Sequence, residues 1–219
     1  HRGYFCAGRV RRFAADGPKM TVRKADFVLI DARNYCWRRV WTGRNLVSNE
    51  RSSGIIYGML SGFLTWKKRW GGKPIVVWDG GRGWRVEVTR TYKTGRKVDT
   101  ELRKIVNNSE QILQNLFARI GMRQIFGIEQ ESDDIIAYLA ETLVGRKVII
   151  STDKDFLQLV SSTVCVEAND WVATEQSIRD RFGISASQWV AYRALTGDPS
   201  DNLSGVGGIG PVRAVRLLQ

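Results

Sequence analysis

Residues 147–153 read "KVIISTD", three β-branched apolar residues in a row, then two small polar ones and an aspartate. A run this short, apolar at consecutive positions, predicts a strand buried on both faces. Two further stretches share the plan, "FVLID" at 27–31 and "PIVVWD" at 74–79. Between these runs the apolar residues take helical spacing. Ile55/Ile56, Met59/Leu60 and Phe63/Leu64 form one stripe, and Ile105/Val106, Ile112/Leu113, Leu116/Phe117 and Ile120 a second. Ile135/Ile136, Leu139 and Leu143 form a third. Strands alternating with helices predict an α/β fold, a parallel sheet with helices on both faces. The polar segment 82–104 reads as a loop or mobile helix outside the core.

Each strand-like run ends in an acid: Asp31, Asp79 and Asp153. In a parallel sheet all strand carboxyl ends lie along one edge, where α/β proteins build their sites. Asp155 follows two residues after Asp153. Glu131, Asp133 and Asp134 open the third helical stripe, and Asp198 and Asp201 stand just before a glycine-rich run. An aspartate after a strand also serves as a turn residue or helix cap, and Asp133 or Asp134 would complement a helix dipole. Three separate strand ends converging on one rim are harder to explain as caps alone.

The charge balance sharpens this. The 219 residues carry a net charge of +12, which points to a polyanionic partner. With the nine candidate site acids set aside, the acidic residues fall from 22 to 13 against 34 Lys and Arg. The body is cationic and the acids are focused. Crowded carboxylates repel one another unless cations neutralise them. Oxygen donors without His or Cys favour Mg²⁺ or Mn²⁺ over zinc. Two such ions about 4 Å apart are a standard clamp for phosphodiester displacement. The one histidine is His1, which removes internal Ser–His or Cys–His catalysis from consideration. Cys6, Cys36 and Cys165 are too far apart for a zinc pattern or a disulfide framework, so a reducing, cytoplasmic setting is expected. No apolar run is long enough to span a membrane.

Six stretches occur in an order that resembles the 5′ nuclease family: flap endonucleases, phage 5′ exonucleases and the amino-terminal domain of bacterial repair polymerases. They are "LIDARNYCWR", "VVWDGGRGWR", "YKTGR", "ESDD", "ISTDKDFLQLV" and "GDPSDNLSGVGGIGPVRAV", and the resemblance covers roughly residues 26 to 219. It implies a PIN-like central, mostly parallel sheet flanked by helices, a short helical arch or loop, and a C-terminal helix–hairpin–helix element. It implies that Asp31, Asp79, Glu131 and Asp133 surround a first metal and Asp153, Asp155 and Asp198 a second, with Asp134 and Asp201 completing the cluster. Arg85, Lys93 and Arg96 match basic positions at the mouth of the site or in the arch. There they would steady the scissile phosphate, and Tyr92 would stack on a base. Arg38, Ser204, Gly205, Gly207, Gly208 and Gly210 fall at DNA-contacting positions, the glycines letting backbone approach a phosphate. In relatives the hairpin carbonyls also hold a monovalent cation, often K⁺. Pro211 suits the first turn of the following helix.

The implied activity is 5′–3′ exonuclease and flap endonuclease action on DNA, leaving 5′-phosphate and 3′-hydroxyl ends. The implied partners are DNA with a 5′ end, flap or junction, and RNA in an RNA–DNA hybrid, with the protein acting as a monomer. Two rivals stay open: a ribonuclease of the related PIN type, and a non-catalytic junction-binding module. The pattern departs from the family at Ala32, where glycine is usual, and at Ser132, where alanine is common. The expected organisation is an extension over 1–19 preceding a natural start at Met20, a nuclease domain over 20–183 with the arch at about 82–104, and a DNA-binding region over 184–219. Trp66 and Trp70, beside "KKR", are candidates to face DNA.

Overall fold

The computed structural model describes residues 24–42, 46–48, 51–81 and 99–219. The chain enters β1 (Phe27–Asp31) and turns directly into α1 (Ala32–Thr42). A small hairpin of β2 (Val47–Ser48) and β3 (Arg51–Ser52) leads to α2 (Gly54–Trp70) and β4 (Lys73–Trp78). Then come α3 (Thr100–Arg119), β5 (Arg123–Phe126), α4 (Ser132–Thr142) and β6 (Lys147–Ile150). A 3-10 turn over Lys154–Leu159 precedes β7 (Val164–Ala168), β8 (Trp171–Ala173) and α5 (Glu175–Phe182). The last elements are α6 (Trp189–Thr196), β9 (Gly197–Asp198), β10 (Leu203–Ser204) and α7 (Pro211–Leu218).

The main sheet has the order β5-β4-β1-β6-β7-β8, parallel throughout except for β8. The three apolar runs are thus the three central strands, lying side by side. Because side chains alternate across a strand, Val28 and Ile30 point into one layer while Leu29 points into the other. The first layer is closed by α1, α2 and α3 through Tyr35, Met59, Val106, Leu113 and Phe117. The second is closed by Ile136 and Ala140 of α4, Ile178 of α5 and Trp189 of α6. Helices therefore cover both faces, as the alternation predicts.

The stripes are only partly the buried faces. In α2, Ile55 and Met59 are buried, but Leu64 is 75% exposed. The inner face is completed by Trp66 and Trp70, which corrects the expectation that they face DNA. Trp66 sits edge-on to Tyr35 and Phe63, and Trp70 donates its Nε1–H to the buried Glu167. The same helix carries Gly58 and Gly62. A methyl on Gly58 would come within 2.6 Å of Arg39 Cδ, and one on Gly62 within 2.6 Å of Tyr35 Oη. This glycine face lies against α1, whose Arg39 and Tyr35 side chains occupy the space a methyl would need.

Segment 82–104, read as a loop or mobile helix outside the core, divides in two. Residues 82–98 lie outside the described residues, whereas Thr100 onward is α3. Asp99 caps that helix, its side chain accepting from the N–H groups of Glu101 and Leu102. Leu102 then packs against the core. Residues 1–19 and Met20 also fall outside the described residues. Strands β5, β7 and β8 were not legible as strands, since their burial is uneven or their chemistry mixed.

Candidate metal centre

Strand order places the acids. Asp31 is the last residue of β1, Asp79 stands one residue beyond β4, and Ser151–Asp153 continue from β6. These strands are adjacent and parallel, so the three ends share one rim. Glu131 is brought to the same rim by a tight backbone crossing. Gly80 N–H donates to the Gln130 carbonyl at 3.0 Å, and any side chain on Gly80 would overlap the Gly127 carbonyl. Glu131 is itself buried, in extended backbone just before α4, with Asp133 and Asp134 in the first helical turn.

At the Asp31 end the carboxylate is buried and held from three sides. One oxygen accepts from the Asn34 N–H and the Ser132 hydroxyl, both at 3.3 Å, and the other from the Ser151 hydroxyl at 2.9 Å. Ser132, a departure from the usual alanine, is thus a bonding partner of Asp31 and also approaches Asp133 at 3.4 Å. Burial, and to a lesser degree the Asp153 charge, push Asp31 up to about 6 despite these hydrogen bonds. Asp79 is fixed by the Gly81 N–H at 2.7 Å.

At the other end, Asp153 caps the 3-10 turn by accepting from the Asp155 N–H at 2.9 Å. Asp155, Asp198 and Asp201 each place an oxygen within 4.8 Å of the others. Asp198 and Asp201 arrive together because a 3-10 turn over Pro199–Asp201 joins β9 to β10. Burial raises Asp155, and Asp153, Asp198 and Asp201 raise it further against the pull of Arg193. Burial acts upward on Asp198 too, but the Ser200 hydroxyl and N–H, with Arg193, leave it below the usual carboxylate range. Oxygens bound to one hard dication at 2.0–2.6 Å lie up to about 4–5 Å apart. The donor set fits such an ion.

Two residues here were missed from the sequence. Arg193, on the last turn of α6, reaches Asp155 Oδ1 at 3.4 Å and bonds Asp198 Oδ2. One guanidinium spans the pair. Glu110, midway along α3, is buried and pairs with Arg33 at 3.1 Å. Burial lifts it to about 7, with Asp79 and Asp31 adding to the rise and Arg33 opposing it. Neither lies in a recognisable motif. Charge placed on the inner turn of an amphipathic helix was the available signal for Glu110.

The glycine-rich run forms the predicted hairpin between α6 and α7, two helices that pack together. Its glycines differ in role. Gly205 lies against α6, where a methyl would sit 2.5 Å from the Leu195 carbonyl oxygen. Gly208 has φ +77°, the left-handed region that favours glycine. Gly207 and Gly210 face open space, and Ser204 is exposed. Gly205→Ala is expected to destabilise the fold by about 1–3 kcal/mol through overpacking, with Gly207→Ala within about 0.5 kcal/mol of wild type. Scanning calorimetry of the two proteins checks the contrast.

Arg38 is half-buried on α1, its guanidinium 5.3 Å from the Tyr35 ring centroid. Arg85, Tyr92, Lys93 and Arg96 lie outside the described residues. Among the described residues Cys36 and Cys165 are free thiols, and no helix is long and apolar enough to cross a membrane.

Sheet, rim and hairpin together define a PIN-like α/β domain. Residues 26–183 match the family described as 5′-3′ exonuclease, N-terminal resolvase-like domain, and the chain belongs to that family. It is 32% identical over 209 residues to a 5′-3′ exonuclease of Buchnera aphidicola subsp. Schizaphis graminum, spanning 90% of this chain and 71% of the relative. It is 37% identical over 150 residues to the flap endonuclease Xni of Shewanella sediminis, spanning 66% of this chain and 57% of the relative. Against the thermostable DNA polymerase I of Thermus filiformis the identity is 31% over 87% of this chain, which is 23% of the polymerase. The chain thus spans well under two thirds of several curated relatives. Among solved structures, T5 5′-exonuclease with bound zinc ions shares the fold at a TM-score of 0.72 and 20% identity, over 87% of this chain and 73% of that one. Human GEN1 bound to Holliday junction DNA shares it at 0.60 and 14% identity, over 90% of this chain and 50% of that one.

Proposed function

We propose that the chain is a structure-specific 5′ nuclease that hydrolyses DNA phosphodiesters with two divalent ions, Mg²⁺ or Mn²⁺, leaving 5′-phosphate and 3′-hydroxyl ends. The observation that carries this is the Asp155–Asp198–Asp201 group, three carboxylate oxygens within 4.8 Å, on the rim that also holds Asp31, Asp79 and Asp153. Asp31, Asp79, Glu131 and Asp133 would hold one ion and Asp153, Asp155 and Asp198 the other, with Asp134 and Asp201 beside them. Dications bound there would supply Lewis-acid stabilisation of phosphoryl charge and make water a stronger nucleophile at neutral pH.

The chain's own groups supply position. The hydroxyls of Ser132 and Ser151 orient Asp31, and the Asp155 N–H orients Asp153. The open glycines 207 and 210 let a duplex phosphate reach the backbone, a contact at which K⁺ would bridge. Lys93, Arg96 and Arg85 would steady the scissile phosphate, Tyr92 would stack on an unpaired base, and Arg38 and Ser204 would contact the strand. The reading extends to a monomer acting in the cytoplasm on flaps, junctions and RNA–DNA hybrids. The relatives named for exonuclease and flap endonuclease activity support the nuclease reading itself.

The test is incubation of an end-labelled 5′-flap duplex, and of the matching RNA, with Mg²⁺ and with chelator. Metal-dependent cleavage of the DNA near the junction is expected. Cleavage of the RNA alone would make the chain a PIN-type ribonuclease, and junction binding without cleavage would make it a binding module.

A further inference from the structure

Glu110 is 7% exposed, and its two carboxylate oxygens have unequal surroundings. Oε2 accepts from Arg33 Nη1 at 3.1 Å, while Arg33 Nη2 reaches Asn107 Oδ1 at 3.3 Å. Oε1 is shut off from solvent and has no hydrogen-bond partner among the described residues. A buried carboxylate oxygen left unpaired costs free energy, and native folds seldom carry one without an ion, water or ligand to meet it. The other charges that act on Glu110 are Asp79 and Asp31, the two acids at the near end of the rim.

We propose that Glu110 is a further acidic member of the centre: Oε1 accepts a hydrogen bond from water around a dication at the Asp31–Asp79 end, while Oε2 anchors Arg33 beside the rim. The assignment rests on the two-ion reading above and extends it to a position outside the motifs. Partners of this kind, one bond removed from the ion, typically change metal affinity 10- to 100-fold when lost. Arg33, on the first turn of α1, is held in turn by Asn107 and Glu110.

The experiment is Mn²⁺ titration by calorimetry of the wild-type chain, Glu110→Gln, Glu110→Asp and Arg33→Met, with melting in chelator as the fold control. Glu110→Gln is expected to weaken one Mn²⁺ site by about 10- to 100-fold without a lower melting temperature. Glu110→Asp keeps the charge and is expected to lose less affinity, which covers the case in which the glutamine variant does not fold. Arg33→Met is expected to keep wild-type affinity or better. Wild-type Mn²⁺ binding in both Glu110 variants overturns the assignment and leaves the two-ion reading standing. A loss in Arg33→Met equal to that in Glu110→Gln also overturns it, since Glu110 would then act only through Arg33. Failure of the wild-type chain to bind Mn²⁺ removes the two-ion reading and this proposal with it.

Discussion

Asp155→Asn is expected to slow cleavage of a 5′-flap duplex by at least about a thousandfold, the effect of losing about 4 kcal/mol of transition-state stabilisation. Asp155 shares the 4.8 Å group with Asp198 and Asp201 and lies two residues from Asp153. An amide in its place keeps the shape but removes a charged donor from the ion. Duplex binding, which depends on phosphate contacts elsewhere, is expected to stay near wild type. Stability moves the other way. Without metal, Asp155 is crowded by Asp153, Asp198 and Asp201, so removing its charge relieves repulsion. The melting temperature in chelator is therefore expected to hold or rise. Single-turnover cleavage and melting, measured on one preparation, check both halves. Undiminished turnover would remove Asp155 from the centre.

Arg193→Met is expected to show the reverse pairing. The guanidinium lies between Asp155 and Asp198 and also caps the end of α6 through the Gly197 carbonyl. Removing one partner of a fully buried pair costs about 3–5 kcal/mol. Arg193 is 24% exposed and Asp198 16%, which places the loss nearer about 2–3 kcal/mol. At this chain length that corresponds to a fall of about 5–10 °C in melting temperature. Saturating Mg²⁺ is expected to restore most of the loss, because the ion takes over neutralisation of the same carboxylates. A deficit that persists unchanged in Mg²⁺ would make Arg193 a structural strut.

How far these residues were legible depended on how local their meaning is. Asp31, Asp79 and Asp153 could be found because each ends an apolar run, and parallel strands carry their ends to a common edge. Asp198 and Asp201 were legible beside the glycine-rich run they precede. Arg193 looked like one basic residue among 34. Its partner Asp155 reaches it only after β7, β8 and α5 have folded between them. Glu110 sits in a helix, 77 residues from the arginine it pairs with. The stripe in α2 misled about Leu64, Trp66 and Trp70 because periodicity identifies a face but not its rotation. Gly58 and Gly62 lie against Arg39 and Tyr35 of α1, a contact between helices that the stripe does not reveal.

The amino-acid order by itself determined the α/β alternation, the acids at the ends of the buried strands and the glycine hairpin after them. Those features follow from side-chain period, backbone freedom and charge within a few residues. Only the tertiary structure decided that Asp155, Asp198 and Asp201 share one ion-sized space, that Arg193 lies beside them, and that Glu110 pairs with Arg33. Such neighbours are set by the strand order β5-β4-β1-β6-β7-β8. Electrostatic coupling falls steeply with distance through space, and sequence separation does not measure that distance.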